Sequence, residues 1–204
     1  MRREKNKCQS GFSVIELMVV CLVILIVAGY AVPNVLNFIH MAKLRGSASD
    51  YASLLQVGRI RSVQDDTFYK TYVIAGPPQQ AYVDLTNNGG TGVAPGDPSI
   101  QVSSEVIPIA KGGAPDTANL SGQFLPAGSG VIPQDATATP VIFSPRGLPC
   151  TTQLAGAVCT SAGGPTAYWA FFENNINKVF EAVTVSPAGR VQKWQHGTGG
   201  WSKL

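Results

Sequence analysis

Histidine is nearly missing from this chain. Only His40 and His196 occur in 204 residues, so a Ser-His-Asp or Cys-His arrangement has little to draw on. A Gly-x-Ser-x-Gly elbow, a Walker loop and a His-Glu-x-x-His run are all absent. Cys150 and Cys159 with two distant histidines lack the spacing of a structural zinc site. The sequence thus provides no ground for an enzyme, a cofactor or a metal centre. Charge is also scarce, at 13% of residues against 45% hydrophobic, which suits one globular domain plus a membrane segment. The formal charge of +3 is unevenly placed. Residues 1–11 hold Arg2, Arg3, Lys5 and Lys7 against Glu4, and the remainder carries 11 basic and 11 acidic groups. The basic character is therefore an address more than a binding surface.

What the chain does have is a long apolar run. No residue from Leu17 to Val32 is charged, and with Phe12 to Ile15 the run approaches the roughly 20 residues that cross a bilayer. Glu16 stands at its edge. A carboxylate costs about 2.5 to 3.5 kcal/mol at the membrane centre and less near an end, so a partner is expected. Three readings are open. A secretory signal would be cut after the run, where "AGYAV" (28–32) offers small residues, and a plain anchor would not be cut. Both leave Glu16 alone. Cleavage between Gly11 and Phe12 instead creates an amine one helical turn from Glu16, at i to i+4. The basic leader stays cytoplasmic by the positive-inside rule, and cleavage would occur there.

These residues carry a resemblance. "KNKCQSGFSVIELMVV" resembles the processing site of the type IV prepilin and pseudopilin family: a short basic leader, Gly11, then Phe12 to Leu17 with Glu16, before an uninterrupted apolar helix. The resemblance implies cleavage after Gly11 by prepilin peptidase, N-methylation of Phe12, and assembly with other pilin or pseudopilin subunits through the N-terminal helix. It implies a subunit held as a single pass in the bacterial inner membrane, with its head in the periplasm or outside. Inner-membrane machinery would then assemble it into a filament. It further implies that Glu16 meets the Phe12 amine of a neighbouring subunit, and that Pro33 bends the helix. The implied fold is α+β, a long kinked N-terminal helix packed on a mostly antiparallel β head. The implied divisions are a leader (1–11), a transmembrane and filament-core helix (12–40), an amphipathic half (41–66) and a head (67–204).

Beyond Pro33 the pattern predicts helix to about Asp66. Leu44, Ala48, Tyr51, Leu55 and Gly58 follow a three-four spacing that forms one packing face, with Lys43, Arg45, Asp50, Arg59 and Arg61 on the others. A helix from Phe12 to Asp66 at about 1.5 Å per residue would be near 80 Å long. Glycine and proline lie mostly beyond residue 75 and predict short strands with many turns. Candidate strands are 68–75, 81–86, 99–109, 139–144, 167–173, 178–186 and 190–194. "NNGGTGVAPGDP" and "GGAPDTANLSGQFLPAGSG" are expected to be long loops.

An internal echo, "VIFSPRG" (141–147) and "VTVSPAG" (183–189), predicts two strand ends running into similar turns, with proline presetting the second position and glycine suiting the last. "LLQVGRIRSV" (54–63) with a β head ending in "SPAGRV" resembles the GspH/FimT branch of minor pilins and pseudopilins. Some members of that branch bind DNA through Gly-Arg-x-Arg, but here Gly189, Arg190 and Val191 are followed by Gln192. A DNA reading of the tail would use Arg190, Lys193 and Lys203 on phosphates and Trp194 and Trp201 on bases. Three cations make only a weak electrostatic footprint, and Trp194 could instead complete the core. Of the cysteines, Cys8 lies in the leader and Cys21 in the apolar run. Cys150 and Cys159 would face an oxidising exterior if the head is exported. A disulfide there would contribute about 2 to 3 kcal/mol on the loop-entropy model, less any strain. Against the structural subunit stand a DNA-binding minor pilin and a secreted binding protein or enzyme with an ordinary signal peptide.

Overall fold

Fifty-one consecutive residues form the first helix, α1 (Val14–Gln64), in a computed structural model that describes residues 13–151 and 166–204. Its first bond runs from the Leu17 N–H to the Ser13 carbonyl, and Pro33 lies inside it with helix on both sides. Termination is local. Asp66 takes a left-handed φ of 49°, and the Thr67 N–H reaches back to the Ser62 carbonyl at 3.1 Å. That bond has the span of a Schellman cap, with aspartate where glycine is usual. The chain divides between Ile39 and His40 into two compact units. In the first, the large apolar side chains from Val14 to Ile39 are exposed. In the second, Leu44, Ala48, Tyr51, Leu55 and Gly58 are buried as the spacing predicts, joined by Ser47, Ala52, Leu54 and Ser62.

After α1 the order is β1 (Tyr69–Ile74), β2 (Gln80–Asp84), β3 (Ser99–Gln101), β4 (Val106–Ile109), a 3-10 turn (Lys111–Gly113) and helix α2 (Thr117–Phe124). There follow β5 (Gln134–Asp135), β6 (Val141–Phe143), β7 (Pro149–Cys150), β8 (Tyr168–Asn174), β9 (Phe180–Val185), β10 (Val191–Gly197) and β11 (Gly200–Lys203). One sheet has the order β3-β2-β1-β6-β7. The other runs β11-β10-β9-β8-β4, with β5 added in parallel to β8. All the other pairings are antiparallel. The fold is thus the α+β arrangement expected: a long N-terminal apolar helix and antiparallel sheets.

Strand alternation explains the layers. In β8, Tyr168, Ala170 and Phe172 enter a core shared with α1 and with Tyr69, Val83, Val141 and Phe143 of the first sheet. Its alternate residues Trp169 and Phe171 enter a second core with Leu120 and Phe124 of α2 and with Trp194 and Trp201. The second sheet is therefore covered on both faces. Tyr51 of α1 meets Phe172 edge to face, with ring centroids 5.4 Å apart. Fully burying one such aromatic side chain contributes about 1.5 to 3 kcal/mol.

Two expectations need correction. The segment 99–109 is not one strand: β3 and β4 belong to different sheets, and a turn closed by the Val106 N–H on the Ser103 carbonyl separates them. The stretch expected to be a loop after residue 112 contains α2, whose Leu120 and Phe124 lie one turn apart and are buried. Glycine and proline on both sides of that short helix hid its period.

The Ser-Pro-x-Gly echo is structural. In each copy the glycine N–H donates to the serine carbonyl, Gly147 to Ser144 at 2.7 Å and Gly189 to Ser186 at 2.8 Å. Both glycines are left-handed, at φ 70° and 75°, the pattern of a turn followed by a bulge glycine. One turn joins β6 to β7 and the other β9 to β10, so each sheet supplies one, and the two turns touch. A Cβ on Gly189 would stand 2.5 Å from the Gly147 carbonyl oxygen. Gly189→Ala therefore combines a disfavoured φ with a backbone clash, and it should destabilise the protein by about 1 to 3 kcal/mol in chemical denaturation. Gly199→Ala, which meets open space, is expected to be nearly neutral in the same measurement.

Candidate functional site

The first candidate is the start of α1. Glu16 lies in its first turn, where a carboxylate gains about 0.3 to 1 kcal/mol from the helix macrodipole. Its neighbours Ile15, Leu17, Val19 and Val20 are all exposed. The window of this helix that is apolar enough to cross a membrane buries none of its residues. Gly11 and Phe12 lie outside the described residues, and so does any pairing of Glu16 with the Phe12 amine.

The second candidate is the tail. Trp194 and Trp201 are each 4% exposed. Trp194 Nε1 donates to Thr184 Oγ1 at 2.9 Å, and Trp201 Nε1 to the Pro115 carbonyl at 2.9 Å. Both indoles are core side chains with satisfied donors, which corrects the expectation that they offer stacking faces to bases. Strand alternation is the reason: Trp194 points to the α2 side of its sheet, while Lys193 reaches α1, its Nζ 3.3 Å from Ser49 Oγ. His196 faces Asp116 at 3.3 Å. Of the five tail residues, Arg190 and Lys203 remain exposed. Cys150 is buried in β7, opposite Ile142, and Cys159 lies outside the described residues.

Two clusters that no motif announced fasten α1 within the head. Glu105, at the turn between β3 and β4, accepts from Lys43 at 2.6 Å and pairs with His40 at 2.8 Å. The bonds from Lys43 and then His40 hold its carboxyl below the usual glutamate range. Asn174 Nδ2 adds a bond to the His40 carbonyl at 3.0 Å. The other cluster centres on Glu181 of β9, only 1% exposed. Its nearest cation, Arg45 Nε, is 3.7 Å away, and neither carboxylate oxygen has a hydrogen bond among the described residues. Arg45 instead reaches Gln195 at 3.0 Å. Burial pushes the Glu181 carboxyl up to about 7, against the opposing pull of Arg45 and Lys193. The signal was present in "FEAVTV": alternation puts Glu181 on the same face as Val183 and Val185, which face the core.

An apolar N-terminal helix continuing into an α+β head is consistent with a type IV pilin-like fold. Residues 6–32 match the family model described as the prokaryotic N-terminal methylation motif, which supports the resemblance to type IV prepilins and pseudopilins. The match spans Gly11, Phe12, Glu16 and most of the apolar run. Comparison with curated proteins and with solved structures produced no match.

The raised Glu181 carboxyl has a signed consequence. The folded state holds this proton up to about pH 7, while a free glutamate releases it near 4.5. Stability is therefore lost as pH rises through that window, by about 3 kcal/mol. Glu181→Gln should match the wild type in denaturant unfolding at pH 4 and exceed its stability by about 2 to 3 kcal/mol at pH 8. Equal stabilities at both pH values would show that the carboxyl titrates normally.

Proposed function

We propose that this chain is a pilin-like structural subunit, a minor pilin or pseudopilin of the GspH/FimT branch, serving a type IV pilus or a type II secretion filament. The match of residues 6–32 to the methylation motif carries the reading. In this reading prepilin peptidase cuts after Gly11 and Phe12 is N-methylated. The apolar half of α1 holds the subunit in the inner membrane as a single pass, bending at Pro33, until the assembly machinery moves it into a filament. Glu16 is then neutralised by the Phe12 amine of a neighbouring subunit, since a charge in a low-dielectric site is tolerated when a well-placed opposite charge meets it. The exposed apolar side chains from Val14 to Ile39 support a role for this segment in lipid and then among other helices.

Two measurements test the proposal. N-terminal sequencing of the exported protein should return methylated Phe12. A start at Val32, or a retained Met1, would replace it with an ordinary signal peptide or a plain anchor. Glu16→Ala should stay membrane-bound yet incorporate into filaments at least about tenfold less well, the scale of a lost buried ion pair, and normal incorporation would remove the role given to Glu16. We further propose that Cys150 and Cys159 are joined once the head is exported. Mass spectrometry after alkylation without reductant should find neither residue of this pair modified.

A further inference from the structure

The head portion of α1 has two unlike faces. One is packed in the core, while the other leaves Ile60 and Val63 exposed, at 55% and 53%. Beside that second face, the chain leaving the β9–β10 turn presents Ala188, Arg190 and Val191. With Arg59, Ile60 and Val63 they line an open groove of about 640 Å³. Gln56 and Gln64 complete the lining, so four aliphatic side chains share it with two amides and with a guanidinium from each of two separate elements. Arg59 spends its Nε on the Gly147 carbonyl at 3.0 Å. Among the described residues, its terminal nitrogens and the Arg190 guanidinium have neither a hydrogen bond nor an ion pair.

The groove is held open by the fold. The left-handed Gly189 abuts the Gly147 carbonyl, and the Arg190 N–H donates to Ser186 Oγ at 3.2 Å. The backbone on either side of Arg190 is thereby fixed before anything binds, which lowers the ordering cost of association. Guanidinium groups pair best with carboxylates, through directed and charge-assisted bonds, and the aliphatic part of the lining favours apolar side chains.

We infer that this groove docks a segment of a partner polypeptide in which a carboxylate lies between apolar side chains. A nucleic acid fits less well, because it needs stacking faces and a line of cations, whereas the lining holds no aromatic side chain and two cations, and both tail indoles are buried. The inference stands on the head alone and does not depend on the filament reading.

The test uses the full chain in nanodiscs of zwitterionic lipid and follows fluorescence anisotropy with three labelled probes. These are a short amphipathic peptide of glutamate and leucine, the same peptide with glutamine for glutamate, and oligothymidylate. The glutamate peptide should bind at least about tenfold tighter than the glutamine peptide. Arg190→Gln and Ile60→Ser, both at exposed positions, should each weaken it at least about fivefold with unchanged melting temperature. Equal binding of the two peptides, binding of none, or indifference to both substitutions would overturn the proposal. Tighter binding of oligothymidylate, lost in Arg190→Gln, would give the groove to nucleic acid instead. Self-association of the unliganded chain that Arg190→Gln abolishes would give it to a second copy, and either outcome overturns the inference as stated.

Discussion

A single α-helix here carries a bare apolar segment and then a packed stripe, and most of the molecule follows from that change. Because α1 closes its backbone hydrogen bonds within itself, it can present bare apolar side chains without exposing unpaired amides to lipid. That freedom serves residues 14–39, whose large apolar side chains are uncovered. From Leu44 onward the same helix carries a buried stripe, and the requirement reverses: Tyr51, Leu55 and Gly58 need a surface to meet. Two sheets provide it. Sequence imposes the change of rule along one element, through the shift from continuous apolar residues to a three-four spacing with charges between.

Small residues set how closely the layers approach. Gly58 lies where a Cβ would come within 3.0 Å of Thr71 Oγ1, against β1. Gly189 and Gly147 let the turns of the two sheets touch. Arg59 spans the contact, tying α1 to the Gly147 carbonyl. The repeated Ser-Pro-x-Gly sequence is thus a repeated solution to one problem: ending a strand beside another backbone with no side chain in the way.

Much of this was legible in the sequence, for reasons that differ by element. The segment that matches the methylation motif was readable because charge, a small residue, an acid and an apolar run coincide within a few positions, and the α1 stripe because its period persists over several turns. The main strands of the second sheet were readable from their β-branched and aromatic content. What escaped were features set by distant partners. Nothing local in "SIQVSSEVIPI" says that its halves pair with β2 and β8 in different sheets. The period of α2 is only two buried residues long. In the tail, the alternation of cations with indoles was visible, but composition alone does not tell a stacking platform from a strand whose indoles face inward. Glu181 is marked by its place among valines, but a carboxylate reads as solvated until the opposite layer is known.

The crossing between sheets at residues 102–105 has a mechanical consequence. Glu105, at the end of that crossing, grips Lys43 and His40 of α1, while Asn174 at the end of β8 holds the His40 carbonyl. A displacement of this end of the packed part of α1 would therefore be felt by both sheets, since Glu105 stands between β3 of one and β4 of the other.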